Sequence, residues 1–326
     1  MCTFLSPVTI LAENGANKRL DKFLSEHLIK SSRTIVKKMI SEGMVYVDGE
    51  KAKPSLILKG TEKISYTILD KEEKLKNIEP EDIDLEILFE DDAIIAINKS
   101  AGITVHPGAG QKNGTLANGL VYHFKKLSNL NGNLRPGIVH RLDKDTSGVI
   151  IIAKRNDVHS NLSEQFEKRS VSKEYFAIVW GKYESDEGEI HSSIARSKKD
   201  PTSYIVNPNG KEAFTSYASK PLGIYNSEVI FKPKTGRTHQ IRVHTSSLGN
   251  PIFGDEKYGG GINKSKGFIP EVSKKLNASM NQLGRHALHA RKIIFNHPIN
   301  KKSIAISAKI PNEINELRTQ ITNLNA

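Results

Sequence analysis

The chain is short of several things, and each shortage narrows what it can be. It has one cysteine, Cys2, so no disulfide can form within it, which suits a reducing cytosol. Its first fifteen residues carry no lysine or arginine, so the basic start of a secretory signal is missing. Its longest apolar runs, such as Val149–Ala153, fall far below the ~18 residues a membrane-spanning helix needs. A soluble, cytoplasmic chain without a membrane partner is expected. No helix suited to self-association stands out, which favours a monomer.

Chemical signatures are missing as well. The glycines around Gly108 and Gly110 do not form the dinucleotide fingerprint, and no phosphate-binding Walker pattern occurs, so a nucleotide cofactor is not expected. Of the eleven histidines, His239/His244 and His286/His289 lack the His-Glu-x-x-His form, and no cysteine lies near them. They read as structural or RNA-facing groups, and no metal is expected. No Gly-x-Ser-x-Gly elbow is present. Ser147 is expected to bond turn backbone. His140-Arg141-Leu142-Asp143 is similar to a kinase catalytic loop, but it has an extra Leu, Gly148 stands where Asn is required, and no Asp-Phe-Gly follows.

What is present is positive charge. Lys and Arg number 48 against 36 Asp and Glu, a net charge of +12. Such an excess attracts a polyanion, most commonly nucleic acid. Apolar content of 37% in 326 residues allows a sizeable core.

Along the chain, residues 1–15 read as a lead-in or edge strand, 16–75 as a small α/β unit, 76–84 as the end of a charged linker, and 85–326 as a larger domain. In the small unit Leu20, Phe23, Leu24, His27 and Leu28 follow helical spacing. A second helix carries Ile35, Val36, Met39 and Ile40, with Ser31 or Ser32 as its cap and Gly43 as its stop. Its other side presents Arg33, Lys37 and Lys38. Val45–Val47 runs as a strand into Asp48-Gly49, and Ile57-Leu58 supplies another. In the larger domain, Leu85–Phe89 and Ala93–Asn98 form a hairpin. Helices are predicted over 115–124, 156–169 and 312–324, and a strand over 174–180. A helix begins near Gly236 with Ile241, Thr245 and Leu248 inward. Residues 259–277 read as a mobile basic loop.

The densest stretch is Pro136 to Gly148, which runs into the β-branched segment Val149–Ile152. If His140–Asp143 is extended, Arg141 and Asp143 share one side while Leu142 anchors the turn in the core. A neighbouring arginine favours an ionised carboxylate. Such a carboxylate serves as nucleophile, general base or metal ligand, or forms a structural ion pair before a core strand. The segment alone leaves these readings open.

Two resemblances sharpen the picture. Arg19 to Leu24, Ser32-Arg33 and Ile40 to Gly49 resemble the small RNA-binding domain named after ribosomal protein S-four. Gly137 to Gly148 resembles the signature of the RluA/RluD family of pseudouridine synthases. Val105–Gly110, Lys173–Tyr175, Gly236–His244 and Arg285–Ala290 match that family in order, and the form of the Val105–Gly110 segment is most similar to its RluD branch. The resemblance implies an α+β fold, with a mixed, largely antiparallel sheet and flanking helices behind a small S-four-like domain. It implies isomerisation of specific uridines to pseudouridine in RNA, large-subunit ribosomal RNA above all, with no cofactor. By resemblance, Asp143 is the catalytic aspartate, acting on C1′ or on the C2′ proton. Arg242 ion-pairs with it, Tyr175 stands beside the target base, and Arg141 stands near the vacated base position. Arg33, Lys37 and Lys38 would contact RNA. Transfer RNA as substrate, and a non-catalytic RNA-binding or ribosome-assembly role, are the alternatives.

Overall fold

The computed structural model describes residues 8–27, 33–67, 78–108 and 111–324. The chain divides into two compact units, Met1–Lys76 and Asn77–Ala326.

In the first unit, β1 (Val8–Leu11), α1 (Leu20–His27), α2 (Arg33–Ser41), β2 (Val45–Val47), β3 (Glu50–Lys51) and β4 (Lys63–Tyr66) follow one another. The strands pair antiparallel in the order β1-β4-β2-β3. Asp48 and Gly49, both at positive φ, make the tight turn between β2 and β3, a backbone that aspartate tolerates and glycine adopts freely. Leu20, Phe23 and Leu24 of α1 pack with Val36 and Ile40 of α2 on Val45, Val47 and Ile64. The apolar stripe predicted for α1 therefore forms, except that His27 is exposed and stacks on Phe23. Leu28 and the capping serines Ser31 and Ser32 lie outside the described residues. Ile57-Leu58 is not a strand; Leu58 is buried and Ile57 makes a single bridge to Arg19.

The second unit is α+β. Its strands are β5 (Glu86–Glu90), β6 (Ile94–Lys99), β7 (Ser147–Ala153), β8 (Ser172–Trp180), β9 (Glu187–Arg196), β10 (Tyr204–Val206), β11 (Lys211–Leu222), β12 (Asn226–Pro233), β13 (Leu288–Asn296) and β14 (Ser303–Ser307). They form one sheet in the order β10-β9-β11-β12-β8-β13-β7-β6-β5, with β14 on β13. Only β7 and β13 run parallel. Helices α3 (Leu116–His123), α4 (Asn156–Glu167), α5 (Gln240–Ser247), α6 (Pro270–Leu283) and α7 (Asn312–Asn323) flank it.

β7 is buried along its whole length, as its unbroken apolar run requires. It meets β13 only at Ser147 and Gly148. Gly148 has φ +117°, and a Cβ there would lie 2.2 Å from the Ala290 carbonyl oxygen; only glycine lets the two strands approach so closely. Beyond that point the segment preceding β7 folds back along its free edge. Ile138 bridges Ile152, the Ala153 amide donates to the Gly137 carbonyl, and the Ile151 amide donates to His140 Nε2. The backbone groups of a buried strand are satisfied this way, and the stretch from His140 to Thr146 is held against the middle of the sheet.

Two local expectations fail. Residues 259–277 are not a loop: Ile262–Gly267 is a short 3-10 helix and α6 starts at Pro270. Proline suits that first helical position, and Leu276, Met280 and Leu283 supply a buried stripe that the Gly/Lys-rich composition masked. On α5, Ile241 and Thr245 are buried as predicted, but Leu248 is exposed and Val243 turns inward instead.

Candidate active site

Three segments converge on one pocket. The loop before β7 brings Arg141, Leu142 and Asp143; β8 brings Lys173 and Tyr175; the turn into α5 brings Gly236 to Arg242. Leu142 is 4% exposed and packs in the core cluster with Val105, Leu116 and Ile150, so it anchors the loop. Asp143 is left half-buried facing the pocket, and Arg141 is exposed at its rim.

The arginine that pairs with Asp143 is Arg242, not its chain neighbour Arg141. Arg242 Nη1 donates to Asp143 Oδ2 at 3.1 Å. Its Nε and Nη2 donate to the two carboxylate oxygens of Asp255 at 2.7 and 2.9 Å. Burial works against the guanidinium charge, but the Asp255 hydrogen bonds and the charges of Asp255 and Asp143 outweigh it and raise its pKa. Arg242 is therefore a fixed cation, locked on one carboxylate and offered to another. Its guanidinium also lies over the Tyr258 ring, 4.8 Å from the centroid.

The second oxygen of Asp143 faces His239, whose Nε2 is 3.9 Å from Oδ1. His239 caps α5 in a left-handed conformation, φ +56°. Tyr258 OH accepts the Tyr204 amide at 3.0 Å and lies 2.7 Å from His239 Nδ1. If the phenol proton goes to Nδ1, the imidazole N–H sits on Nε2, turned towards Asp143.

Tyr175 and Lys173 alternate on one face of β8 and both line the pocket. Burial, with the Asp143 charge added, pushes the Tyr175 phenol well above its ordinary range, so it stays protonated and presents a neutral ring. Lys173 donates to the Thr235 carbonyl at 3.0 Å.

The loop itself is pinned from behind. Lys99, 1% exposed, donates to the carbonyls of Ser100, Ile103 and Lys144 at 2.7, 2.9 and 3.0 Å. Arg285 Nη1 donates to the Asp145 carbonyl at 3.2 Å. Ser147 does not bond turn backbone; its hydroxyl lies 2.9 Å from His289 Nδ1 and accepts from Arg285 at 3.2 Å. Thr146 likewise meets His286 at 2.8 Å. The histidines at 286 and 289 thus hold the strand that carries the loop.

Of the residues singled out from the sequence, Arg141, Asp143, Tyr175 and Arg242 surround this pocket. Lys37 is exposed on α2, 3.7 Å from the buried Asp21. The side chains of Arg33 and Lys38 lie outside the described residues. Sequence reasoning missed Asp255, Tyr258, His239 as a neighbour of Asp143, and Lys99. The only local signal for Asp255 is an acid placed directly after the apolar turn Pro251–Gly254.

Residues 93–247 match the family described as RNA pseudouridylate synthase, and residues 18–64 match the S4 domain. An RNA pseudouridine synthase of Aquifex aeolicus is 43% identical over 78% of this chain and 81% of its own length. A ribosomal large subunit pseudouridine synthase D of Xanthomonas campestris is 36% identical over 96% and 91%. Among solved structures, human RNA pseudouridylate synthase domain containing 4 superposes with a TM-score of 0.53 at 26% identity, covering 72% of this chain and 92% of that one.

Proposed function

We propose that this chain, which belongs to the RNA pseudouridine synthase family, converts specific uridines of large-subunit ribosomal RNA to pseudouridine in the cytoplasm, with Asp143 as the catalytic carboxylate. The arrangement that carries the reading is Asp143 held by Arg242, itself gripped by the buried Asp255.

The reaction breaks the N1–C1′ bond of uridine, turns the uracil, and joins C5 to C1′. Atoms and oxidation state balance without a second substrate. The target base has to leave its stack, at a cost of a few kcal/mol. Tyr175 then offers a neutral ring on which uracil stacks, a contact worth about 1–3 kcal/mol. Arg141, exposed at the rim, occupies the space the base vacates. Asp143 either attacks C1′ or removes the C2′ proton. Both routes need an ionised carboxylate held still, and Arg242 supplies the orientation through Oδ2 while Oδ1 stays turned to the pocket. Once C5 is bonded to C1′, it loses its hydrogen as a proton to solvent, and N1, freed from the sugar, takes one up.

Ribosomal RNA as substrate is supported by nearly full-length similarity to the synthase of Xanthomonas campestris and by the S4 match at the N-terminal end, a module that binds RNA.

Release of tritium from RNA labelled at uridine C5 tests the chemistry. The wild-type chain releases it and Asp143→Asn does not, while the variant keeps its fold and RNA affinity. Substantial release by Asp143→Asn removes the carboxylate from the mechanism. Mapping pseudouridine in ribosomal RNA from cells with and without the chain tests the substrate: unchanged large-subunit sites overturn it.

A further inference from the structure

A second, wider groove adjoins the catalytic pocket, and Tyr175 borders both. Arg141, Arg169, Lys173, Lys234 and Arg237 line it, and Glu167 is the only carboxylate among the lining residues. Some of that charge is already engaged: Lys234 lies 3.5 Å from Glu189, and Arg237 Nε donates to the Glu212 carbonyl. Among the described residues, Arg141, Arg169 and Lys173 have no ion-pair partner.

Lys173 is the telling member. It sits two residues before Tyr175 on the same face of β8 and is half-buried. Of the three N–H donors of an ammonium, one is used on the Thr235 carbonyl. Burial pushes Lys173 down to about 8, because no counter-charge compensates its lost hydration. A cation kept in this state beside a basic groove is arranged for an anion that arrives from outside.

We infer that the groove seats a phosphodiester next to the target uridine, with the half-buried Lys173 as its inner contact and Arg169 and Arg237 at its rim. The inference rests on the uridine-isomerase reading, which puts the base at Tyr175. The backbone that carries such a base must leave the pocket past one side of that ring, and the groove is the cationic side. A phosphodiester keeps its charge at every working pH and accepts hydrogen bonds from several directions, which suits one lysine and two arginines. The groove then sets where along the strand a uridine can present itself, while the pocket reads the base.

The test uses the full chain and a stem-loop RNA in which the linkage 5′ or 3′ of the target uridine is replaced by an uncharged methylphosphonate. Dissociation constants and turnover are measured for wild type and Lys173→Gln. Neutralising one of the two linkages is expected to weaken wild-type binding about 10- to 100-fold, the range of a charge-assisted hydrogen bond. Lys173→Gln should weaken binding of unmodified RNA by a similar factor and lose nothing more on the modified RNA. Independent, multiplying losses at both linkages overturn the inference. Should Lys173→Gln fail to fold, the exposed Arg169→Gln goes through the same cycle, with the same two outcomes. Turnover without coupling at either linkage sinks the groove alone. Coupling in binding without turnover by wild type sinks the isomerase reading and leaves the phosphodiester site standing.

Discussion

Asp143 and Asp255 share one guanidinium: Arg242 gives Asp255 two nitrogens and Asp143 one. The division of labour follows from burial. Asp255 is 2% exposed and, apart from the Tyr258 amide on Oδ1, its buried charge rests on both bonds, whereas Asp143 opens to the pocket and needs only orientation.

Removing Asp255 should therefore damage both fold and chemistry. Asp255→Ala leaves Arg242 buried with two of its three carboxylate hydrogen bonds gone, and a loss of about 3–5 kcal/mol is expected for breaking such a pair. Turnover should fall with it, because Arg242 is no longer fixed on Asp143. Asp255→Asn, which retains one acceptor, should lose less on both counts. Urea unfolding and single-turnover assays check this; an Asp255→Ala variant of wild-type stability and rate refutes it.

Tyr175 is proposed to work as a ring and not as an acid or base, since its phenol is held protonated by burial and by Asp143. Tyr175→Phe should keep most RNA affinity, and Tyr175→Ala should lose the ~1–3 kcal/mol of one stacked base. Comparing dissociation constants of the two variants decides it. Equal losses in both would assign the role to the hydroxyl.

Acid should destabilise the second unit. His140 accepts the Ile151 amide through Nε2, and burial holds its pKa down at about 3. Burial likewise holds His244 and His289 down at about 4. In the unfolded chain these imidazoles protonate near ~6.5, so below that pH the unfolded state binds more protons than the native one. Their contribution is complete above pH ~6.5 and is lost as pH falls from there towards 4 and below. His140→Gln, whose amide oxygen can accept the same N–H but does not titrate, should flatten part of that slope. Melting temperatures of both proteins between pH 4 and pH 7 test it, and parallel curves would exclude His140 as a contributor.

Deleting residues 1–76 is expected to weaken binding to ribosomal RNA and to flatten its dependence on salt, since phosphate contacts release counterions. An unchanged affinity and an unchanged slope would show that this unit is no RNA anchor.

Much of this was legible in the sequence, and for a physical reason. Whether Leu20, Phe23 and Leu24 share a helix face, or Val149–Ile152 makes a buried strand, depends on residues only a few positions apart. The hairpin at Asp91, the turn at Asp48-Gly49 and the exposed, anchored and facing roles along Arg141-Leu142-Asp143 are local in the same sense. Composition misled where it imitated a loop: the lysines and glycines of 259–277 hid the first half of α6 and its buried Leu276.

Local pattern could not decide who meets Asp143. Arg141 is adjacent in the chain and made the obvious partner; resemblance alone named Arg242, and the structure pairs Asp143 with that residue, 99 positions away. Asp255 and Tyr258, which hold Arg242, and Lys99, which holds the loop from beneath, left no periodic trace. Residue order alone thus made plain that a charged loop stands before a buried strand in a basic, RNA-seeking chain. Which cation that loop's carboxylate faces is set by the folded chain. The choice is made when β7, β8 and β13 close into one sheet and bring distant side chains within hydrogen-bond reach, in a place too dry to leave any of them unpaired.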